Sequence, residues 1–263
     1  MTTPNGTTSP AGGDFTLTVP ADVKSAGALS ICADITYPPY TFVQNNMPTG
    51  FDVDMANTLA KAMGVRAEFH QTGFPGIIGA LQGRKCDVII NGMNGTADHA
   101  KVINQVPYLQ DSQGFITKQG SSIHIKSLDD LAGKSVVTQL GSTNAVYLQN
   151  LSTKLVAAGK QAIKITTLAQ NPLAFEAVLS GRADVFYQDR PVLGYYSTKF
   201  PGQVTIADLS VNPQTVVIGL RKDEQALTDT LQQGINEMYK RGLLQKIAAK
   251  WGIQPGNYLP GMP

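Results

Sequence analysis

Asp189 is the residue whose chemistry points most directly to ligand binding, because its carboxylate closes the apolar run 185–188. A carboxylate at the end of a buried strand can accept a charge-assisted hydrogen bond from the ammonium group of a ligand. The alternative is a surface contact between Asp189 and Arg190, which would contribute little to stability. The local residues leave both interpretations open.

Two further segments offer hydrogen-bonding groups instead of charge. Residues 91–96 (Asn-Gly-Met-Asn-Gly-Thr) end an apolar run, and their backbone amides and small polar side chains could form the rim of a binding site. Residues 139–143 (Gln-Leu-Gly-Ser-Thr) place free N–H groups at the start of a helix, where a carboxylate can bind. The alternatives are an ordinary turn at 91–96 and simple capping of the helix by Ser142 or Thr143.

An aromatic loop follows the first apolar run of the chain. Residues 33–40 read Ala-Asp-Ile-Thr-Tyr-Pro-Pro-Tyr, and the Pro-Pro pair stiffens the loop that carries Tyr37 and Tyr40. Aromatic rings on a rigid loop suit stacking on a flat or cationic ligand. An ordinary proline-rich turn with packed tyrosines explains the same residues equally well.

The elements that would position these loops alternate between strands and helices. The pattern predicts helices at 50–63, 74–82 and 171–180, others beginning near 127 and 141, and two at the C-terminal end. Strands are predicted at 28–34, 65–70, 87–91, 135–139, 164–167, 185–188 and 216–220. This alternation indicates parallel sheets covered on both faces. Ligands of such sheets bind beyond the carboxyl ends of the strands, which is where the segments above lie.

Length and composition fit a globular protein of two lobes. The 263 residues allow two lobes of roughly 100 residues each. The net charge of +2 contains no run of like charges, which argues against nucleic acid as a partner and against a polybasic membrane anchor. Residues 1–14 are rich in Thr, Ser, Pro and Gly and lack the features of a signal peptide. They fit either a cytoplasmic protein or a secreted protein whose signal peptide was removed.

The two cysteines, Cys32 and Cys86, each lie in an apolar, strand-like run. This setting favours two reduced core cysteines over a bridge.

The three histidines are scattered at positions 70, 99 and 124, so the spacing predicts no metal site. No cofactor is expected either.

The order of the motifs along the chain is more specific than any one of them. The series YPPYTF, GFDVDMANTLAKAMG, FPGIIGALQGRKCDVIINGMNGT, SLDDLAGKSVVTQLGST and GRADVFYQD resembles the polar-amino-acid-binding family of ABC-transporter extracellular solute-binding proteins (family 3). The resemblance covers about residues 28–254. It implies a type II periplasmic-binding-protein fold, in which two α/β lobes joined by two crossing strands close on a ligand.

The resemblance also implies boundaries and a site. Lobe 1 would comprise 20–110 and 213–263, lobe 2 would comprise 111–212, and 1–19 would be a flexible tail. Cys32 and Cys86 would lie at opposite ends of neighbouring strands, which disfavours a bridge. Asp189 would pair with the ammonium group, and the backbone N–H groups of Asn94 or Thr96 and of Thr143 would meet a carboxylate. The implied ligand-binding residues are Asp34, Tyr37, Tyr40, Phe74, Asn91, Gly92, Asn94, Thr96, His99, Ser142, Thr143 and Asp189.

One position departs from the family pattern. His99 stands where the family usually has an arginine that clamps the α-carboxylate of the ligand. An arginine offers a permanent charge and a two-pronged clamp, whereas a histidine offers at most one donor and changes charge near neutral pH. Two hypotheses stay open: a ligand with a cationic nitrogen but no free α-carboxylate, such as an amine or a betaine-like compound, or a carboxylate held by His99 and the helix at Thr143.

The expected function is that of a solute-binding component of an ABC importer, which captures an amino acid or a related nitrogen-containing molecule and delivers it to the permease. Such a protein would be a periplasmic or extracellular monomer, with lipid anchoring of a native N-terminus left open. One rival is a dehydratase of the same fold acting on a cyclohexadienyl substrate, for which Asp34, His99 and Asp189 are the candidate acids. The other rival is a ligand-sensing module.

Overall fold

The computed structural model describes residues 15–253, and its strands form two sheets. In chain order the strands are β1 (Ala28–Ala33), β2 (Thr36–Tyr37), β3 (Thr41–Gln44), β4 (Met47–Thr49), β5 (Arg66–Gln71), β6 (Val88–Ile89), β7 (Ile103–Lys118), β8 (Ser135–Gln139), β9 (Lys164–Leu168), β10 (Val185–Asp189), β11 (Val204–Ile206) and β12 (Val211–Arg221). The small sheet has the order β2-β3-β4, and the large one has the order β5-β1-β6-β12-β7-β10-β8-β9, with β11 paired to β7.

The large sheet contains two parallel sets of strands joined by two long antiparallel strands. β1 pairs in parallel with β5 and β6, and β8 pairs in parallel with β9 and β10. Between the sets, β7 and β12 pair antiparallel to each other, with register shifts near residues 211–217. We call the side with β5, β1 and β6 the first lobe and the side with β10, β8 and β9 the second lobe. This is the expected architecture of two α/β lobes with crossing strands, while the boundaries at 20–110, 213–263 and 111–212 stay predictions.

The helices cover the sheet and place their apolar faces against it. They are α1 (Ala21–Ala26), α2 (Phe51–Ala62), α3 (Ile77–Gln82), α4 (Ala97–Val102), α5 (Thr143–Ala157), α6 (Asn171–Leu179), α7 (Arg190–Lys199), α8 (Gln225–Lys240) and α9 (Leu243–Lys250). In α8, Leu227, Leu231, Ile235 and Met238 recur at helical spacing and are buried. The carboxylates of Asp52 and Asp54 lie in the first turn of α2, at the positive end of its dipole.

Local signals set several helix starts as the sequence predicts, with some differences. Ser127 and Asp130 form a capping box at the helical turn predicted to begin near 127. The helix predicted at 171–180 is α6, with Gln170 at its N-cap position and the side chain of Asn171 buried and bonded within the second lobe. The helix predicted at 74–82 divides into a 3-10 turn at Phe74–Gly76 and then α3. Of the strand predicted at 87–91, only the two residues of β6 pair with neighbouring strands.

The interpretation of Cys32 and Cys86 as reduced cysteines is wrong. They form a disulfide with an S–S distance of 2.06 Å and a Cα–Cα distance of 5.6 Å. Cys32 lies in β1, and Cys86 precedes the adjacent β6, whose Val88 pairs with Ile31. The N–H of Asp87 also donates to the carbonyl of Ser30, which brings Cys86 back toward β1. An apolar setting could not reveal the bridge, because a buried disulfide and two buried thiols have the same apolar neighbours.

Residues 1–14 of the tail predicted at 1–19 lie outside the described residues. Within the described part, Leu17 is buried and its N–H donates to the carbonyl of Ala62, so the packed chain begins before residue 19. Among residues 15–253, none of the helices combines the length and the apolar character needed to cross a membrane.

Candidate functional site

A narrow cavity lies between the two lobes, near the carboxyl ends of β6, β8 and β10. Its volume is about 10 Å³, which is room for about one water molecule. Eight of the twelve predicted site residues line it: Tyr37, Phe74, Gly92, Asn94, His99, Ser142, Thr143 and Asp189. Three lining residues were not predicted: Gln139, Asn144 and Gln188. Since an amino acid is far larger than one water molecule, the lobes must separate to admit one.

Asp189 ends β10 and is the buried carboxylate of this cavity. The hydroxyl of Tyr37 donates to its Oδ2, and the amides of Gln113 and Asn144 donate to its Oδ1, each over 3.3 Å. Burial raises the pKa of Asp189, and these hydrogen bonds oppose that effect because they favour the ionised form. The cavity-lining residues include no lysine or arginine, so a cationic group of the ligand is the natural counter-charge.

Tyr40 and Asp111 form a second buried pair behind Tyr37. The rings of Tyr37 and Tyr40 stack with their centroids 5.3 Å apart, and the Tyr40 hydroxyl donates to Asp111 over 2.7 Å. Burial and the nearby Asp189 raise the pKa of Asp111 well above its usual range. Tyr40 therefore does not line the cavity, although the sequence predicts it there, and instead supports the ring of Tyr37.

Asp52, in the first turn of α2, fixes the turn at Gly92 by hydrogen bonding. The Gly92 N–H donates to Asp52 Oδ2 over 2.6 Å, and the Tyr108 hydroxyl donates to Oδ1 over 2.8 Å. Gly92 has a φ of 54°, and a Cβ at this position would lie 2.8 Å from the ring of Tyr37. Any other residue would therefore strain the turn and clash with the Tyr37 ring.

Asn91 and Asn94 have different roles in this turn. Asn91 is fully buried, and its side-chain oxygen accepts from the backbone N–H of Asp34, so it joins two loops and does not line the cavity. Asn94 lines the cavity, and its amide nitrogen donates to Thr143 Oγ1 over 3.2 Å across the two lobes. The buried Oδ1 of Asn94 has no hydrogen-bond partner among the described residues, which suits it to accept from a ligand N–H.

Thr96 and His99 belong to α4, and both have local partners. Thr96 caps the helix by accepting from the His99 N–H over 3.0 Å, and it does not line the cavity. Nδ1 of His99 lies 3.1 Å from the carbonyl oxygen of Asn94. Because a carbonyl oxygen only accepts, Nδ1 carries the proton in this contact. Nε2 can then donate to a ligand carboxylate only when the imidazole is doubly protonated.

The N-terminus of α5 forms the wall of the cavity in the second lobe. The Ser142 hydroxyl donates to the carbonyl of Gln139 over 2.7 Å and accepts from the Ala145 N–H over 3.2 Å, so it caps the helix. Thr143 and Asn144 follow it in the first turn and line the cavity with it. The helix dipole and the first-turn N–H groups favour an anion at this place.

Asp34 lies just after β1 and is buried beside the cavity without lining it. Its carboxylate accepts from the Thr36 hydroxyl over 2.6 Å and from Gln139 Nε2 over 3.0 Å. Gln139 ends β8, so this second contact joins the two lobes. The sequence places Gln139 and Gln188 at strand ends. It gives no signal that hydrogen bonds through other amide side chains connect these two residues.

The chain also matches known proteins. The model of a family described as bacterial extracellular solute-binding proteins, family 3, matches residues 29–254. This match confirms the resemblance predicted from the order of the motifs.

Curated relatives and a solved structure agree with the family match. The L-cystine-binding protein TcyJ of Escherichia coli (strain K12) is 29% identical over 232 residues, which cover 87% of this chain and 84% of that protein. The ABC transporter arginine-binding protein 1 of the same strain is 28% identical over 234 residues, covering 87% and 92%. The crystal structure of an ancestral amino acid-binding protein, a precursor of cyclohexadienyl dehydratase, has a TM-score of 0.80 and 32% identity, covering 88% and 97%.

Proposed function

The chain belongs to family 3 of the bacterial extracellular solute-binding proteins, and on this basis we propose that it binds an amino acid between its lobes and delivers it to the permease of an ABC importer. The observation that carries the proposal is Asp189, a buried carboxylate in the cavity between the lobes with only neutral donors around it. The ammonium group of an amino acid supplies the missing positive charge.

The carboxylate end of the ligand belongs at the start of α5. Thr143 and Asn144 line the cavity there, and His99 faces the same cavity from the first lobe. Asn94 Oδ1 is the acceptor for a second N–H of the ligand ammonium. In this arrangement Tyr37 and Phe74 enclose the aliphatic part of the ligand. The loops that carry the ligand contacts are held in place by Tyr40, Asn91, Thr96 and Asp34.

Cationic or cystine-like amino acids are the first ligands to test, because relatives bind arginine and cystine. A protein of this family acts outside the cytoplasmic membrane, and we expect a monomer that docks on its permease when closed. We expect no turnover: of the three candidate acids, Asp34 does not line the cavity, Asp189 is already held by three donors, and Nδ1 of His99 is bonded to the Asn94 carbonyl.

The decisive experiment measures binding of L-arginine, L-cystine and other amino acids by isothermal titration calorimetry. Agmatine, which is arginine without its α-carboxylate, is the matched ligand control. Replacing Asp189→Asn should weaken binding by about tenfold to a hundredfold, since hydrogen bonds to charged groups contribute that much. Asp229→Asn changes an exposed carboxylate on α8 in the same way and should leave the affinity unchanged.

The outcomes separate the rival functions. Equal affinity for agmatine and arginine would show that the ligand class is an amine and that the start of α5 binds no carboxylate. Turnover of prephenate or arogenate would establish the dehydratase instead. Absence of binding across the amino acids and amines would contradict the proposal altogether.

A further inference from the structure

A continuous chain of side-chain carboxamides runs through the second lobe and ends on the carboxylate of Asp34 in the first lobe. Each amide donates its NH₂ group to the oxygen of the next. From donor to acceptor, the order is Gln113, Asn144, Gln188, Asn171, Gln139 and Asp34. All six residues are buried. Most side-chain hydrogen bonds in proteins go to the backbone or to water, so a run of five between side chains is unusual.

The chain has one possible direction, which its last acceptor imposes. An ionised carboxylate only accepts, so Gln139 must turn its NH₂ group toward Asp34. The oxygen of Gln139 then faces Asn171, which must donate, and the same requirement passes to each earlier amide. Amide dipoles aligned in this way polarise one another and strengthen the bond at the end of the series.

The chain also connects two mechanically important places. Gln113 belongs to β7, and Asn212 of β12 donates to it over 2.7 Å, so the series starts at the two strands that join the lobes. It ends at the bond between Gln139 of the second lobe and Asp34 of the first. Because Gln139 and Asp34 lie on different lobes, this bond can exist only when the cavity is closed.

We propose that this carboxamide chain is a latch that holds the lobes closed, and that Asn171, which lines no part of the cavity, positions Gln139 for the bond to Asp34. The latch acts on the lobes themselves and depends on no particular ligand. It can therefore be tested on the protein alone, and its failure would leave the proposed amino acid binding untouched.

The test is Asn171→Asp, which keeps the shape of the side chain but removes its donor. A carboxylate at 171 leaves Gln139 between two acceptor-only groups, so Gln139 can no longer serve both. Asn236→Asp in α8 is the matched control, because the Asn236 oxygen accepts from Gln232 and an aspartate can do the same. Gln139→Glu breaks the last link directly by placing a carboxylate against Asp34.

The readout is the distance between the lobes in the absence of added ligand. Spin labels on Met47→Cys and Val156→Cys, which are exposed on β4 and α5, report it by double electron–electron resonance. We expect Asn171→Asp and Gln139→Glu each to lower the ratio of closed to open molecules about tenfold, as expected for loss of a hydrogen bond to a charged group. The double variant should open no further than Gln139→Glu, and Asn236→Asp should match the wild type.

Two results would overturn the proposal. If Asn171→Asp keeps the wild-type distance while Gln139→Glu opens the lobes, the bond to Asp34 is a local contact and the chain is not a unit. If neither substitution changes the distance, there is no latch. Circular dichroism checks that each variant folds, and Asn171→Ala, which interrupts the chain without adding charge, replaces Asn171→Asp if that variant does not fold.

Discussion

Asp189 makes ligand binding depend on pH. Burial raises the pKa of Asp189, so acid pH protonates it and weakens its bond to a ligand ammonium. The affinity for an amino acid should therefore fall at acid pH.

The variant Asp189→Asn tests this origin of the pH dependence. We expect the variant to bind more weakly and to show no further loss of affinity at acid pH, because an amide side chain takes up no proton in this range. Calorimetric titrations of both proteins at a series of pH values measure the difference. A wild-type affinity that stays constant into acid pH would mean that Asp189 does not pair with the ligand ammonium.

Asp52 makes the stability of the fold depend on pH. Burial raises its pKa from an ordinary value of 3.8 to about 7, although the hydrogen bonds from Tyr108 and Gly92 oppose this. Between these values the unfolded protein has lost the proton and the folded protein keeps it, so the contribution of Asp52 to stability falls as the pH rises from 4 to 7. Asp52→Asn keeps both contacts, because its oxygen can accept from Gly92 and its NH₂ group can donate to the Tyr108 hydroxyl.

We therefore expect Asp52→Asn to gain stability relative to the wild type as the pH rises from 4 to 7, by on the order of 1 kcal/mol per pH unit. Urea unfolding at several pH values measures the difference. Asp229→Asn, on the exposed face of α8, should show no such trend. A constant difference between Asp52→Asn and the wild type over this range would mean that the Asp52 carboxyl is not desolvated.

At the scale of elements, the disulfide between β1 and the segment before β6 ties together the two strands that carry the Asp34 and Gly92 loops. It joins residues 54 apart in sequence. Closing a loop of this length stabilises a fold by about 4 kcal/mol in the chain-entropy account. We expect the double variant Cys32→Ala/Cys86→Ala to lose about that much free energy of unfolding.

Urea unfolding with and without a reductant tests this directly. The wild type should fall to the level of the double variant when it is unfolded in reductant, whereas the double variant should not respond. A wild type as stable in reductant as without it would show that the bridge contributes nothing.

The elements themselves were largely predictable, and the contacts between them were not. Two helices were predicted at the C-terminal end, and the first of them is α8, whose Leu227, Leu231, Ile235 and Met238 are buried at helical spacing. The predicted strand ends marked the edge where the cavity lies. The disulfide and the carboxamide chain were missed for one physical reason. Their partners come from separate elements, such as Gln139 and Asn171, and a pattern within one segment carries no information about which side chain of another segment it meets.

At the scale of the molecule, the cavity has room for about one water molecule, so the ligand can bind only after the lobes have opened. The single tryptophan, Trp251, lies close to the moving parts: its ring contacts Phe42 with centroids 5.7 Å apart, and Phe42 also contacts Tyr195 of α7 at 5.5 Å. Opening should separate Phe42 from Tyr195 and change the tryptophan fluorescence.

Stopped-flow mixing with ligand should therefore give an observed rate constant that levels off, at high ligand concentration, at the rate of opening. Gln139→Glu weakens the contact between the lobes, so its plateau should be higher than that of the wild type, whereas Asn236→Asp should keep the wild-type plateau. A rate constant that rises in proportion to ligand concentration, with no plateau in either protein, would mean that the ligand reaches Asp189 without waiting for the lobes. The closed arrangement of Tyr37, Asn94 and Thr143 would then form around the bound ligand.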